Sequence, residues 1–281
     1  MTMGGVYEAG EGGKPVASQA VREYEEHEAR RRRWYRVLQV LVGVGIVGVW
    51  ELSSGTLIDP FFISSPVAVA GRLYTWTVNG DLVRHLSITL YAMIWGFTLG
   101  SLIGFFLGFL FARSESVSTV FDPYITALYS IPKIALAPLF IMWFGIGIES
   151  KIAMAAVIVF FLVFLNTYAG VRDVNQIFVH SARIMGANEW QLLRLVITPS
   201  AAAWVLTGLK VSIPYALIGT VVGEFMSSNR GIGFLIAQAS GLFDTASVFA
   251  GLVILALMGG LMNAILKRVE RHALRWRGSN G

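Results

Sequence analysis

The sequence predicts an all-α, polytopic membrane protein with six transmembrane helices and both termini cytoplasmic. Three observations carry that reading. Of the 281 residues, 55% are hydrophobic and only 14% are charged, and the mean hydropathy is +0.65; a soluble chain carries about a quarter charged residues. One aqueous core of this size cannot hide so much apolar surface, so lipid must solvate part of it. The apolar residues fall into six windows, roughly 34–52, 84–112, 120–146, 150–171, 199–226 and 246–267. Each is near the ~20 residues a helix needs to cross a bilayer.

The third observation is the placement of basic residues. With a cytoplasmic N-terminus and six crossings, the inner side holds Lys14, Arg22, Arg30–Arg33, Arg36, Arg113, Arg172, Arg183, Arg194, Lys267, Arg268, Arg271, Arg275 and Arg277, 16 of the 22 basic residues. Arg72, Arg84, Lys151 and Arg230 fall outside, and Lys133 and Lys210 lie within spans. That asymmetry favours both termini inside. It also explains the net charge of +5 as topology, with no nucleic-acid groove implied.

Along the chain, residues 1–19 are rich in glycine and small side chains and read as a disordered tail. Residues 20–33 complete a charged N-terminal segment (1–33), where Glu26–Arg30 and Glu28–Arg32 have the i,i+4 order of a solvated helix. The run Trp34–Leu52 is long enough to stay in the bilayer as an anchor, and the basic residues before it do not suit a cleaved signal. First span and outer connection together make up 34–83. In that connection Ser65 and Pro66 read as the N-cap and first position of an amphipathic helix, with Tyr74 and Trp76 at headgroup level. Residues 84–267 form the core, and 268–281 a basic cytoplasmic end.

Within the core, Gly96, Gly100, Gly104 and Gly108 repeat every four residues and make one helix face smooth enough for close packing, within the chain or across a dimer. Pro132, Lys133 and Pro138 interrupt the third span, and Lys210 and Pro214 the fifth. Broken helices with polar groups at depth are tolerated where they face a protein-lined path. Lys133 reads either as a cation on that path, suited to an anionic solute, or as a side chain snorkelling or paired with Asp122. Lys210 reads as paired with Glu224 or a carbonyl, or as lining the path. Asn166 and Thr167 read as interhelical hydrogen bonds or as a ligand site. Glu224, beside the outer loop 227–245, is a candidate gate or docking residue.

Several chemistries are excluded. There is no cysteine, hence no disulfide or thiolate site. His27, His85, His180 and His272 lie in separate segments without metal-ligand spacing and read as surface or interfacial groups. Lys14 in AGEGGKP is the nearest approach to a phosphate-binding loop, and it lacks the first glycine and precedes a proline. No catalytic motif appears, so the chain is not expected to be an enzyme.

The inner connection 173–198 is too polar to span and too patterned for a slack loop. Ile177, Ala182, Met185, Leu192, Leu193 and Val196 are spaced for one-sided helices, Gly186 breaks them, Asn188 can cap the second, and Pro199 begins the next span. Here HSARIMGANEWQLLRLVITP resembles the cytoplasmic signature of permeases of ATP-binding-cassette importers: E-A-A, three residues, Gly, nine residues, I-x-L-P. His180, Ser181 and Ala182 stand at the E-A-A positions, Gly186 at the glycine, and Val196, Thr198 and Pro199 at the last three. Spacing, glycine and proline hold, while His180 replaces the acidic residue. SIPKIALAPLFIMWFGIG, FLNTYAGVR, ALIGTVVGEF, RGIGFLIAQA and FDTASVFAGL are similar, in order, to the nitrate, sulfonate and taurine branch.

The resemblance implies the type I importer permease fold in the bacterial inner membrane. It also implies a coupling helix docked on a separate ATPase, with Ala182, Arg183, Gly186, Ala187, Glu189 and Pro199 as contact candidates. Lys133, Asn166, Lys210 and Glu224 are the candidates for the translocation path. Further implied are a second copy of the chain, two ATPase subunits that bind ATP and magnesium in its stead, and an extracytoplasmic solute-binding protein. The implied cargo is a small anion such as a sulfonate, taurine, nitrate or bicarbonate; vitamin precursors or aromatic acids are the alternative. A self-sufficient secondary carrier or channel is the rival class, and it would need inverted repeats and buried acidic residues for ion coupling.

Overall fold

The structure, a computed structural model, describes residues 16–273. Most of the expected disordered tail and the basic end 274–281 lie outside the described residues. The N-terminal unit runs to Asp59 and contains α1 (Val16–Ser53). Helix therefore starts four residues earlier than the charge pattern suggests. Its aqueous half carries the Arg32–Glu28 ion pair at 2.6 Å, and residues 30–53 are apolar enough to cross a membrane.

The second unit, from Pro60 onward, is a bundle of long helices with shorter ones at its two ends. At the outer end α2 (Pro60–Ile63) leads to α3 (Pro66–Val78), where Ser65 Oγ caps the Ala68 N–H at 3.2 Å. Trp76 is buried while Tyr74 is exposed. Only Tyr74 of the expected pair of interfacial aromatics is therefore exposed; α3 packs on α12 and α4, and Trp76 is on its covered side.

Then α4 (Asp81–Arg113) crosses inward, and α5 (Glu115–Ser130) turns back. The third crossing is broken, with a tight turn over Lys133–Leu136 and α6 (Ala137–Phe144) set at 83° to α5. Pro132 imposes that break, since it has no N–H to extend α5 and restricts Ile131 to extended backbone. Next come α7 (Ile148–Arg172), crossing inward, and the cytoplasmic pieces α8 (Gln176–Ile184) and α9 (Glu189–Leu192). After them α10 (Thr198–Ser227) crosses outward, α11 (Ile232–Gly241) lies at the outer end, and α12 (Thr245–Ala273) returns. Among the described residues five helices meet the length and apolarity of a span, and the bent α5–α6 pair, taken as one span, makes a sixth.

Helices α4, α7 and α10 form the centre. The glycine stripe explains the closest contact, and it lies within the chain: a Cβ at Gly104 would stand 2.7 Å from Phe160 O of α7, and one at Gly108 2.6 Å from Phe164 O. Removing side chains every fourth residue lets two backbones touch along several turns, where dispersion replaces the missing hydrophobic drive. Met93, Val159, Val163, Ile213 and Ala216 fill the rest of that core.

Candidate coupling and translocation sites

The cytoplasmic segment is ordered by caps. Asn175 Oδ1 accepts the Ile177 N–H at 2.9 Å to start α8. Gly186 ends it with φ +84°, so that Gly186 N–H donates to Arg183 O at 2.9 Å and Ala187 N–H to Ala182 O at 3.0 Å. This paired arrangement closes a helix on a left-handed glycine. Asn188 then caps α9 reciprocally with Gln191, at 2.8 and 2.9 Å. The second helix is not a separate piece, as the sequence suggested. It passes through a wide turn over Leu193–Ile197 straight into α10. That turn falls just ahead of Pro199, whose ring would clash with the carbonyl four residues back in a regular helix.

Val174, Val179, Ala182 and Leu192 pack inward, with Ala187 half-buried against them. Arg183 and Arg113 both reach Glu189, at 3.1 and 3.2 Å, tying the bend to the inner end of α4. The opposite face is apolar and uncovered: Ile184 is 86%, Met185 81% and Trp190 66% exposed. Ala182, Arg183, Gly186, Ala187 and Glu189 are therefore one constellation; Pro199 lies beyond the wide turn on α10.

The four path candidates are scattered. Lys133 lines an open cleft of about 360 Å³ together with Tyr129, Ser130, Ile131 and Pro132 of the break and Ile158, Phe161, Leu162 and Tyr215 of α7 and α10. Its ammonium sits 4.2 Å from the Tyr129 ring centroid and 4.8 Å from that of Phe161 and donates to Tyr129 O. It makes no ion pair among the described residues, so Asp122 is not its partner. Asn166 does not bridge helices: its Nδ2 donates to Leu162 O of its own helix at 2.8 Å, and its Cβ fills the space over Gly208 of α10. Thr167 Oγ1 is buried without a hydrogen-bond partner among the described residues. Lys210 pairs with Glu270 of α12, not with Glu224, because Glu224 stands at the far end of α10.

Glu224 is 1% exposed, so it is neither on the loop surface nor a free gate. Its carboxylate accepts from Thr89 Oγ1 at 2.8 Å and from Gly233 N–H at 2.7 Å. Thr89 in turn accepts the Ile232 N–H at 2.9 Å, and His85 Nδ1 the Gly231 N–H at 3.0 Å. Three side chains from α4 and α10 thus cap the first N–H groups of α11. His85 is accordingly buried and not interfacial. Gly231, at φ +118°, is obligatory because a Cβ there would overlap the Glu224 carboxyl. Lys151 is also buried, donating to Ser228 Oγ at 2.7 Å. The sequence showed Glu224 but not Thr89 or His85, since nothing local marks residues that cap a helix more than a hundred positions away. Tyr129, four residues before Lys133, was the local hint of the cleft.

The described residues thus form a membrane bundle with a capped, apolar-faced cytoplasmic elbow and a polar break in one crossing. The chain belongs to the family of binding-protein-dependent transport system inner membrane components, which it matches over residues 100–275. It is therefore the inner-membrane permease subunit of an ATP-binding-cassette importer.

Three relatives illustrate the family's range. The riboflavin transport system permease of Chloroflexus aurantiacus is 38% identical over 219 residues, covering 78% of this chain and 82% of its own. The formylaminopyrimidine transport permease of Halalkalibacterium halodurans is 34% identical over 248 residues, 88% and 98% of the two chains. The taurine transport system permease of Escherichia coli is 30% identical over 266 residues, 90% and 97%. Among solved structures, an inward-facing methionine ATP-binding-cassette transporter superposes with TM-score 0.52 at 17% identity, over 70% of this chain and 96% of that one. That likeness concerns the fold alone.

Proposed function

We propose that two copies of this chain form the pore of an importer driven by two cytoplasmic ATPases, which bind the ATP and magnesium. An extracytoplasmic binding protein delivers a small organic or inorganic anion. The observation that carries the anion is Lys133, a cation without a carboxylate partner among the described residues, lining a cleft at mid-depth. Ile158 of the cleft wall lies ten residues into α7, about 15 Å along the axis at 1.5 Å per residue, half of a ~30 Å hydrocarbon core. A cation at that depth is retained where it serves a path. The second copy is supported by the same break. Ile131 and Ile134 are exposed there, and interrupted backbone at bilayer depth needs protein or a water-filled path beside it.

The exposed Ile184, Met185 and Trp190 support docking on the ATPase, because an uncovered apolar patch on a rigid elbow fits a partner cleft. Closure of the ATPases would then move α10 and α7 as a lever on a two-state bundle. The taurine relative favours a sulfonate-type cargo. The riboflavin and formylaminopyrimidine relatives favour the second reading, a heterocyclic vitamin precursor.

The test is uptake into proteoliposomes holding the permease, its ATPase and the copurifying binding protein, with taurine, nitrate and thiamine-precursor pyrimidine as solutes. Anion uptake that requires ATP and falls in Lys133→Gln supports the proposal. Flux by the permease alone, down an ion gradient, would overturn it in favour of a secondary carrier.

A further inference from the structure

The charged stretch ahead of the first span lies outside residues 100–275, which match the permease family, and the importer reading gives it no task. We propose that its arginine cluster binds the phosphate of an anionic phospholipid in the cytoplasmic leaflet, holding that lipid class beside α1 in preference to a zwitterionic one. The cargo has no bearing on this.

Charge is segregated along α1 (Val16–Ser53). Glu23, Glu25, Glu26 and Glu28 come first, then Arg30–Arg33 and Arg36, with no further acidic residue until Glu51. The apolar run Trp34–Leu52 covers about 28 Å at 1.5 Å per residue, close to a ~30 Å hydrocarbon core. Arg30–Arg33 therefore fall in the turn just outside the hydrocarbon, at the depth of the lipid phosphates, and Arg36 can snorkel back to it. Trp34 and Tyr35, 63% and 52% exposed, stand at the same boundary, where amphipathic rings settle. Glu28 lies about 9 Å before Trp34 along the axis, out in the water. The bilayer surface thus meets arginine and no carboxylate.

Helical spacing gathers part of the cluster. His27, Arg30, Arg31 and Trp34 follow the i, i+3, i+4, i+7 rule of one helix side, and with Arg33 and Val37 they line an open groove. Arg32 turns away to Glu28 at 2.6 Å. Among the described residues no ion pair occupies Arg30, Arg31 or Arg33. Guanidinium groups beside an indole suit a lipid phosphate, since the planar fork donates paired hydrogen bonds to its oxygens and the ring packs on the first methylenes.

This is more than orientation. A count of basic residues decides which end stays inside and needs no particular lipid. A phosphatidylcholine head offers the same phosphate with a cation attached, which a cationic groove repels, so the net charge of the lipid decides. Depth favours lipid over a protein partner, because the groove lies within the headgroup layer.

The chain has no cysteine, so one fluorophore can be placed at Leu38→Cys, one turn past Trp34 on the groove side, or at Leu52→Cys at the outer end of α1 as a control. Both native side chains are exposed. The full-length permease is reconstituted in symmetric phosphatidylcholine vesicles doped with nitroxide-labelled phosphatidylglycerol or nitroxide-labelled phosphatidylcholine. At Leu38 the phosphatidylglycerol probe should be enriched roughly fivefold or more, the effect of one arginine at an anionic surface. Salt at about 1 M, where the screening length is about 3 Å, should reduce that. At Leu52 the two probes should quench alike. In the triple variant Arg30→Gln, Arg31→Gln, Arg33→Gln the preference at Leu38 should fall to the Leu52 level. The matching triple lysine variant, which keeps charge and orientation, should retain most of it.

Equal quenching by the two probes at Leu38 would overturn the lipid site, as would a preference that survives the glutamine variant or appears equally at Leu52. Equal quenching together with loss of ATPase copurification from the glutamine variant would assign the arginines to a protein contact instead.

Discussion

Substituting Gly186 isolates one physical term. A Cβ there meets none of the described residues within 4 Å, so the first carbon of a side chain creates no clash, and the torsion is what is perturbed. At φ +84° an L-residue costs about 1–2 kcal/mol, less for asparagine, which tolerates this region, and more for a β-branched residue. One to two kcal/mol is a factor of about 5–30 in the population of the bent form. The expected order of coupling competence is Gly186, then Gly186→Asn, then Gly186→Ala, then Gly186→Val, with membrane insertion unchanged throughout. The assay is solute-stimulated ATPase activity of the assembled transporter, together with hydrogen exchange at Ala187 N–H, which donates to Ala182 O. If Gly186→Val couples as well as Gly186→Asn, the bend is not what transmits the motion, and the lever argument fails.

Other perturbations test the packing and the outer cluster. Gly104→Leu should destabilise the bundle by roughly 1–3 kcal/mol or more through overpacking against α7 backbone, read as a lowered midpoint in detergent unfolding; an unchanged midpoint would mean α4 and α7 are not in contact. Glu224→Gln can accept only one of the two hydrogen bonds its carboxylate now accepts, costing about 1–3 kcal/mol, and Glu224→Leu should cost more. Protease protection of the 227–245 loop reports both, and equal protection in the two variants would refute the cap. Asp244 caps Ser247 and pairs with Arg72 at 2.8 Å. Burial works to raise its pKa, yet the Ser247 hydroxyl and N–H and the Arg72 charge together hold it below the ordinary 3.8. A depressed carboxylate stabilises above its unfolded pKa, so this contribution should be present at neutral pH and fade as pH drops below about 4. In Asp244→Asn the acid-side loss of stability should shrink, by under ~1 kcal/mol for so exposed a pair.

Much of this protein was legible in one dimension because its determinants are local. Apolar window length and basic-residue placement respond to the bilayer itself, so they gave spans and orientation without any tertiary contact. The Gly186 bend, the Asn188 cap and the Ser65–Pro66 start depend on backbone torsions and hydrogen bonds within a few residues, which is why their spacing could be read. The glycine stripe announced a close contact, but only the fold identified α7 as its neighbour.

Partnerships between distant residues were decided by the tertiary structure. Lys210 met Glu270 and not Glu224, Asn166 turned to its own helix, and the cleft joined Tyr129, Phe161 and Tyr215 from three helices. Capping of α11 by His85, Thr89 and Glu224 belongs to the same class. Sequence determined where the chain crosses the membrane and where it bends, because solvent and torsion act on each segment alone. Which polar groups face one another at depth was decided only once α4, α7 and α10 had packed, because in a low-dielectric interior each buried polar group takes whichever partner packing brings within reach.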